Sequence, residues 1–415
     1  MSSAVSQRPE LGSQFIAPIL AHLHEKLVLG LAHAQFSDAS YARGAAGQLL
    51  SLAALAMHPA APPPDLDLLE EGVNRLLLSV PQMPHGLFHG AEGVLFAALE
   101  IDRHFGFNLV EDFATEFDAC FYSHLSDRHE LPEHFDLISG IAGLLVYACY
   151  RAQQTGDSWL VPLCVNQLAD MVTNDERGAS WFTPAERIRG TPIGNAHPLG
   201  CIDLGIAHGQ PGALGAIALA VLVGGDTRAS THALLRDGIR FLRGQELVNG
   251  LPHFSCAAGS NMGSGCAWCY GDLGMVGTLR LAAQASADPA LDAWGDAILH
   301  SLKHRTPDAL GFKDPFLCHG ACGAAWLLRQ LDGGVALNDL AQVFETAGLA
   351  HYQNYQPGDR IGLLEGVAGF ALTLAEQDGW RSQLNWALPL LPGNRSLVFD
   401  ASTAYRSSAC FAPAG

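Results

Sequence analysis

Apolar residues recur along much of this chain at the spacing of amphipathic helices. In residues 65–80 they include Leu69, Val73, Leu76 and Val80, which share one face of an α-helix. Comparable stretches lie near residues 12–35, 111–127, 157–175, 231–246 and 337–356, and another begins at Asp288-Pro289. Each stretch predicts a helix that covers a core with one face and meets solvent with the other.

A second kind of segment alternates with these helices: a Gly-x-x-Gly turn followed by an almost wholly apolar run, as in HGAEGVLFAAL. The first glycine of the turn occurs seven times, 46 to 69 residues apart, at Gly44, Gly90, Gly140, Gly209, Gly271, Gly320 and Gly366. A helix that is apolar all round must be buried inside the amphipathic ones. We therefore predict a single all-α domain, an (α/α)7 double-layered toroid (α,α-barrel); an open helical solenoid is the alternative.

Two of the intervals between turns, before Gly209 and before Gly271, are longer than the others. Their extra residues are rich in glycine and proline, so we expect loops rather than inserted domains. If the repeats are equivalent, all seven turns lie on one face around a central opening, and these loops overhang it. Residues from about 391 to 415 contain no repeat and are expected to form a C-terminal tail.

The residue before each turn should line that opening. These pre-turn residues are Arg43, His89, Ser139, His208, Tyr270, His319 and Glu365. Polar and ionisable side chains are poor packing material, so this set indicates chemistry.

Two thiols and an imidazole occupy matching points of adjacent repeats. Cys269 and Cys318 each lie two residues before a first glycine, and His319 lies one residue before it. Such positions should converge, and two thiolates with one imidazole suit a single Zn²⁺ whose fourth position is open to a substrate thiol. The alternatives are a closed structural site of four cysteines that includes Cys266 and Cys322, and no metal at all.

Acid–base residues are expected beside that metal. His208 has the pre-turn position in the repeat next to Cys269 and titrates near neutrality; a structural histidine is the alternative. Asp136, four residues before Gly140, could orient His208 or help to move the proton, or it could cap a helix. His89 has matching placement farther round the ring.

Composition narrows the classes of partner. A net charge of −18 over 415 residues disfavours nucleic acid, because phosphate backbones would be repelled. The N-terminus has no signal-peptide core, and no run reaches the roughly 18 apolar residues of a membrane span. We expect a cytoplasmic protein without a transmembrane segment, in which the ten cysteines are thiols or metal ligands rather than disulfides.

Four motifs give the chain a resemblance to the lanthionine synthetase C-like family over nearly its whole length. They are AHGQPG at 207–212, WCYGDLG at 268–274, CHGACG at 318–323 and LLEGVAG at 363–369. The resemblance implies a lantibiotic cyclase with an α,α-toroid and one zinc. A cysteine thiol of a dehydrated precursor peptide would add to dehydroalanine or dehydrobutyrine and close a thioether ring.

The resemblance also implies roles for individual residues. Cys269, Cys318 and His319 match the zinc ligands, and His208, Asp136 and Tyr270 match catalytic positions. His208 would protonate the enolate that forms during the addition. One feature departs from the family: bacterial members carry an arginine shortly before the tryptophan–cysteine pair, whereas residues 261–266 contain none. Arg43 or another cation would take its place, or the substrate would be held differently.

Partners follow from the same resemblance. The substrate would be a precursor peptide, leader plus core, dehydrated by a separate dehydratase; a complex with that enzyme and a transporter would bring the protein to a membrane. Two alternatives stay open. One is an enzyme that adds glutathione to dehydroamino acids, and the other is a non-catalytic scaffold that binds the peptide.

Overall fold

Long helices alternate between two layers in this computed structural model. The residues it describes are 13–34, 37–127, 131–247, 252–260, 262–331, 337–354, 360–377 and 379–393. The outer helices are α1 (Ser13–Ala34), α3 (Leu66–Ser79), α5 (Glu111–Asp127), α7 (Leu160–Asp170), α11 (Ala229–Arg243), α13 (Pro289–Ser301) and α16 (Asn338–Asn354). The inner helices are α2 (Ala45–Leu55), α4 (Ala91–Phe105), α6 (Ile141–Thr155), α10 (Gln210–Leu222), α12 (Asp272–Ser286), α15 (Ala321–Leu331) and α17 (Val367–Ala375).

Burial follows the hydrophobic pattern. Every residue of α2 and of α17 is buried, as expected for helices that are apolar on all sides. The outer helix α3 buries only a stripe that includes Leu69, Val73 and Leu76. The Asp288 carboxylate caps α13 by accepting a hydrogen bond from the Ala290 amide at 2.9 Å. The two predicted kinds of helix are therefore confirmed.

The inner helices form a closed ring. Their order of contact is α2, α4, α6, α10, α12, α15 and α17, and α17 contacts α2 again. Backbone hydrogen bonds also join neighbouring turns through the residues two before each first glycine. The amide-to-carbonyl pairs are Ala42–Phe88, Phe88–Ile138, Ile138–Ala207, Cys269–Cys318, Cys318–Leu364 and Leu364–Ala42, at 2.9 to 3.3 Å. This closure confirms the (α/α)7 toroid and excludes the open solenoid.

The second glycine of each turn is required by a close approach of backbone. A Cβ added at Gly93 would lie 1.7 Å from the carbonyl oxygen of Leu87, which is closer than any real contact. At the equivalent glycine of every turn the corresponding distance is 2.4 Å or less. The first turn of each inner helix therefore packs directly on its own connecting loop, which fixes where the residues before the turn point.

The two long intervals are more ordered than simple loops. The first contains a two-stranded antiparallel pair, β1 (Thr173–Asp175) with β2 (Gly178–Ser180), and the short helices α8 (Ala185–Ile188) and α9 (Pro192–Ala196). The segment before Gly320 contains α14 (Pro307–Leu310), and 3₁₀ turns span Val80–Gln82, Leu302–His304 and Leu388–Leu390.

The two intervals also pair with each other. The Leu204 amide donates to the Cys256 carbonyl at 3.0 Å, and the Ala258 amide donates to the Ile202 carbonyl at 2.9 Å. This pairing forms a small second apolar cluster against which the Tyr270 ring packs. The sequence predicts loops here but not this pairing, because backbone pairing between two segments distant in sequence leaves no local signal.

The chain after α17 returns to the core. The Asn385 amide donates to Glu100 on α4 at 2.6 Å, and the Trp268 indole donates to the Leu390 carbonyl at 2.8 Å. Leu391, where the tail was predicted to begin, is buried. The rest of the predicted tail, from residue 394 to residue 415, lies outside the described residues. Among the helices that are described, none has both the length and the apolarity to cross a bilayer.

Candidate functional site

The turns form a rim, which we define as the seven pre-turn residues together with the residue before each of them. All seven pre-turn residues are at least partly exposed, and six of them lie between two buried neighbours. The second glycines hold every turn in the same relation to its inner helix. The expected ring of polar side chains on one face is therefore present.

The rim brings the two predicted thiols and the imidazole together. The ligand atoms of Cys269, Cys318 and His319 all lie within 4.8 Å of one another. The two turns are joined directly, since the Cys269 amide donates to the Cys318 carbonyl at 3.3 Å. One metal ion can reach all three atoms at this spacing, and two sulfurs with one nitrogen are suited to zinc.

A buried carboxylate holds the histidine in place. Asp314 Oδ2 lies 2.9 Å from His319 Nε2, which leaves Nδ1 as the atom for a ligand bond. Asp314 is itself fixed, because its Oδ1 accepts from the Phe316 amide at 2.8 Å. The hydrogen bond between Asp314 and His319, together with the Cys269 thiol, raises the pKa of His319 to about 10. A carboxylate behind a histidine in this way is the usual support of a zinc ligand.

The two thiols differ in their readiness to ionise. A hydrogen bond from Cys318, and a further one from His319, lower the pKa of Cys269 despite its burial. The Cys269 sulfur and burial raise the pKa of Cys318. A thiolate is thus favoured at Cys269, and thiolate is the form that binds zinc.

The other two cysteines of the rival four-cysteine site lie elsewhere. Cys266 and Cys322 are fully buried, and neither belongs to the compact donor group found in the described part of the chain. The Cys322 sulfur packs against α16, where a Cβ added at Gly348 would lie 2.2 Å from it. The geometry favours the open three-ligand arrangement.

His208 and Asp136 are in direct contact. His208 Nδ1 lies 2.8 Å from Asp136 Oδ2, so Nε2 is free to exchange a proton with a substrate. Burial disfavours the imidazolium, but the hydrogen bond and charge of Asp136, with the charge of Asp203, raise the pKa of His208. Burial also opposes ionisation of Asp136, yet His208 and His134 hold its pKa below the ordinary value.

Asp136 also has a structural role, which was the alternative to its acid–base role. Its Oδ1 accepts from the Ser139 amide at 2.8 Å, which stabilises the loop before the third turn. His89 is exposed on the rim without a described side-chain hydrogen bond, and partial desolvation of its ring together with the positive charge of Arg43 lowers its pKa.

Tyr270 is held by a carboxylate that the sequence reasoning missed. Its hydroxyl donates to Asp203 Oδ2 at 2.5 Å, and Asp203 Oδ1 accepts from the Gly205 amide at 2.8 Å. Asp203 is fully buried, and this burial raises its pKa to about 6. Burial and the charge of Asp203 raise the pKa of Tyr270 far above its ordinary range.

A sequence signal for the missed carboxylates exists. Asp38, Asp203 and Asp314 each lie six residues before a first glycine. Each also accepts a hydrogen bond from the amide two residues farther along the chain, at 2.8 Å. An alignment of the seven repeats on their glycines places an aspartate at this position in three of them.

An open cleft of about 510 Å³ adjoins the metal ligands. It is lined by Cys269, Tyr270 and His319, and by the cations Arg305 and Lys313. Arg305 is committed to structure, because it donates to the carbonyls of the loop before the fifth turn and pairs with the buried Asp272. Lys313 is exposed.

Arg43 lies on another part of the rim. It lines a separate pocket of about 440 Å³ together with Arg360 and Glu365. The missing arginine was expected within residues 261–266, of which Asn261 lies outside the described residues.

Three comparisons with known proteins agree with this architecture. Residues 35–381 match the family described as Lanthionine synthetase C-like protein. The nisin biosynthesis protein NisC of Lactococcus lactis subsp. lactis is 25% identical over 264 residues, which span 59% of this chain and 61% of NisC. Among solved structures, nisin cyclase matches with a TM-score of 0.70 at 19% identity, over 91% of this chain and 97% of its own. At that identity the structural match is evidence for the fold alone.

Proposed function

The chain belongs to the lanthionine synthetase C-like family, and from that premise we propose that it is a zinc-dependent lanthionine cyclase. Its substrate would be a dehydrated precursor peptide that carries cysteine together with dehydroalanine or dehydrobutyrine. The cysteine sulfur bonds to the β-carbon of the dehydro residue, and a proton is added at the α-carbon. The product is a thioether ring within the peptide.

One observation carries the proposal: two thiols and an imidazole converge beside an open cleft, and the preceding turn carries a histidine hydrogen-bonded to a buried carboxylate. Three donors leave one position of a tetrahedral ion for a further ligand. Zinc bound there would lower the pKa of a substrate thiol and present it as a thiolate near neutral pH. The residues of the chain then have to hold the peptide and supply the proton.

His208 is the proton donor in this proposal. Its raised pKa keeps the imidazolium populated at higher pH than an ordinary histidine, with Nε2–H available to the developing enolate. Asp136 positions the ring and stabilises its positive charge. Tyr270 is held by Asp203 with its ring against the second apolar cluster, so it would wall the site and orient the peptide.

Lys313 is the cation that we assign to the enolate oxygen. It lines the same cleft as Cys269 and His319, whereas Arg43 lines a different pocket and Arg305 is engaged in the loop. A cation placed near a developing negative charge stabilises the transition state more than the ground state. With Lys313 in this role, a cation would still stabilise the enolate although residues 261–266 contain no arginine.

The peptide substrate, the dehydratase and the transporter are also part of the proposal. A net charge of −18 favours a neutral or cationic peptide over an anionic one. A separate dehydratase would act before this protein in the cytoplasm. A complex of the two with a transporter is a further step that co-purification would examine.

Metal analysis and a cyclisation assay test the function together. We expect about one zinc per purified chain and loss of free thiol, without change of mass, from a dehydrated peptide. Adding glutathione provides the second arm, because a peptide that gains the mass of glutathione would identify the glutathione-adding alternative. Bound zinc and tight peptide binding without ring formation would identify a scaffold. Absence of zinc binding would overturn the proposal.

A further inference from the structure

Four titratable side chains form a line outside the rim, and we name this line the thiol relay. It runs from Glu92 in the second turn through His85, in the loop before that turn, to His124 and Cys120 on the outer helix α5. Cys120 and His124 are four residues apart, so they share one face of α5. No step of the proposed cyclisation uses any of the four.

The contacts are continuous. Glu92 Oε1 lies 2.5 Å from His85 Nδ1, and Glu92 Oε2 accepts from the Gly86 amide at 2.7 Å. His85 Nε2 lies 2.7 Å from His124 Nδ1. His124 Nε2 lies 3.8 Å from the Cys120 sulfur, within hydrogen-bond range for sulfur. Every ring nitrogen of the two histidines is therefore engaged along the line.

These contacts fix the direction of the hydrogen bonds. A carboxylate can only accept, so Glu92 requires a proton on His85 Nδ1. Neutral His85 then accepts at Nε2 from the Nδ1–H of His124. His124 in turn has its lone pair on Nε2, where it faces the Cys120 thiol. The thiol thus has a base, and the base is oriented by a third and a fourth group, as in other activated nucleophiles.

Burial decreases along the relay. Glu92 is fully buried, and the side chain of His85 is 11% exposed beneath the rings of Phe117 and Phe121. His124 is partly exposed and Cys120 is exposed. Moving one proton from the thiol along each link would leave a thiolate in solvent and an imidazolium at His85, beside the buried carboxylate.

A line of this kind does not suit a metal. The hydrogen bonds join the four groups one after another, whereas a metal needs donors that converge on one point. Within the described chain the compact donor group is the one on the rim. The relay is therefore organised for proton movement toward one exposed sulfur.

We propose that Cys120 is a nucleophilic thiol on the outer wall and a site of reversible modification by low-molecular-weight disulfides. The Cys120 sulfur attacks one sulfur of the small disulfide, and the S–S bond of that molecule breaks. A mixed disulfide forms on Cys120, and the released thiolate takes up the proton that Cys120 gave to the relay. The small disulfide is the oxidant, and an excess of a small thiol reverses the step.

Labelling with 5,5′-dithiobis(2-nitrobenzoate), read peptide by peptide by mass spectrometry, tests the proposal. We expect Cys120 to react at pH 7 about tenfold faster than in His124→Gln, because an unassisted thiol is only about a few per cent ionised. Cys256, partly buried on the functional face, is the internal reference and should react at the same rate in both proteins.

The variant His85→Gln tests whether the whole relay, rather than the His124–Cys120 contact alone, activates the Cys120 thiol. Residue 85 does not touch Cys120, yet removing its ring cuts the path to Glu92, so the Cys120 rate should fall here as well. His300→Gln, an exposed histidine on α13, is the matched control and should leave the rate unchanged. Thermal melting shows that each variant is folded. Equal Cys120 rates in wild type, His124→Gln and His85→Gln would overturn the proposal.

Discussion

The rim and the carboxylates behind it form two sectors that share one backbone design and differ in what they hold. The metal-side sector comprises Cys269, Cys318, His319 and Asp314, from the fifth and sixth turns. The proton-side sector comprises Asp136, His208, Asp203 and Tyr270, from the third, fourth and fifth turns. In the first, three donors converge on a point. In the second, the groups form two separate hydrogen-bonded pairs. Asp136 pairs with His208, which can carry a positive charge, and Asp203 pairs with Tyr270, which stays neutral.

The two buried carboxylates of the proton-side sector show why the pairing matters. Asp136 contacts an imidazole that can carry positive charge, and its pKa lies below the ordinary value. Asp203 contacts a phenol that stays neutral, and burial raises its pKa to about 6. The same residue type, behind the same rim, therefore has its pKa shifted in opposite directions. A turn fixes the position of a side chain, and burial together with the partner shifts its pKa.

Removing a thiol from the metal-side sector should have the largest effect. In Cys318→Ala we expect zinc to fall from about one per chain to near zero and cyclisation to become undetectable, since two donors hold the ion poorly. Elemental analysis and a free-thiol assay measure both. Cys322→Ala is the matched control, because its sulfur packs against α16. Loss of zinc in the control would support the closed four-cysteine site instead.

Removing the acid from the proton-side sector should lower the rate and leave the metal. In His208→Asn we expect kcat to fall by about 10²- to 10⁴-fold, the usual contribution of a positioned acid or base, with zinc content unchanged. Steady-state kinetics on a dehydrated peptide and elemental analysis give the two readouts. A variant that lost both zinc and activity would show that the sectors are not independent.

The dependence of the cyclisation rate on pH tests the same assignment of His208 as the proton donor. Because the imidazolium is the proton donor, the rate should fall as pH rises through the pKa of His208, which lies above 6.5. Asp136→Asn removes the hydrogen-bonded carboxylate that helps to raise this pKa. The falling limb should therefore move to lower pH in that variant. An unmoved limb would assign it to another group.

The carboxylate behind His319 should have a moderate effect on the metal. In Asp314→Asn we expect zinc affinity to weaken by about 10- to 100-fold, the usual loss when the support of a histidine ligand is changed. Competition with a chelator measures it. Asp38→Asn changes the equivalent position of the first repeat, where the described hydrogen bond of the carboxylate is to the Ser40 amide, and should leave zinc affinity as it is. Equal losses in the two variants would point to a general effect on the turns.

The smallest expected effect concerns stability. Asp203 binds its proton more tightly in the folded chain than in the unfolded one, so its contribution to the free energy of unfolding decreases as pH rises from 3.8 through about 6. Asp203→Asn should reduce this pH dependence by an amount on the order of 1–3 kcal/mol. Denaturant unfolding at pH 4 and pH 7 measures the difference. A pH dependence equal to that of the wild type would contradict the assignment.

Asp136→Asn should change the pH dependence of the free energy of unfolding in the direction opposite to that of Asp203→Asn. The pKa of Asp136 is lowered in the folded chain, so its contribution is present above the ordinary pKa of 3.8 and is lost as pH falls. The two aspartate variants therefore form a pair in which the same chemical change separates the two environments. Parallel pH dependences in both variants would show that the two carboxylates share one environment.

Much of the fold followed from spacing. The alternation of amphipathic and wholly apolar helices, and seven recurring glycine pairs, were enough to predict two layers closed into a ring. Equivalence of the repeats was enough to predict that Cys269, Cys318 and His319 meet. The pairing of the two long intervals and the return of residues 384–391 into the core were missed, because these contacts join segments that share no periodic signal.

The sequence by itself determined which residue types stand at which turn, since a helical repeat converts spacing in the chain directly into position round the ring. Only the tertiary structure decided the partners behind them. Loop conformation and burial place Asp314 behind His319, Asp203 behind Tyr270, and Glu92 at the end of the thiol relay. Charge and proton affinity depend on those partners and on exclusion of water, and both come into being only when the chain has packed.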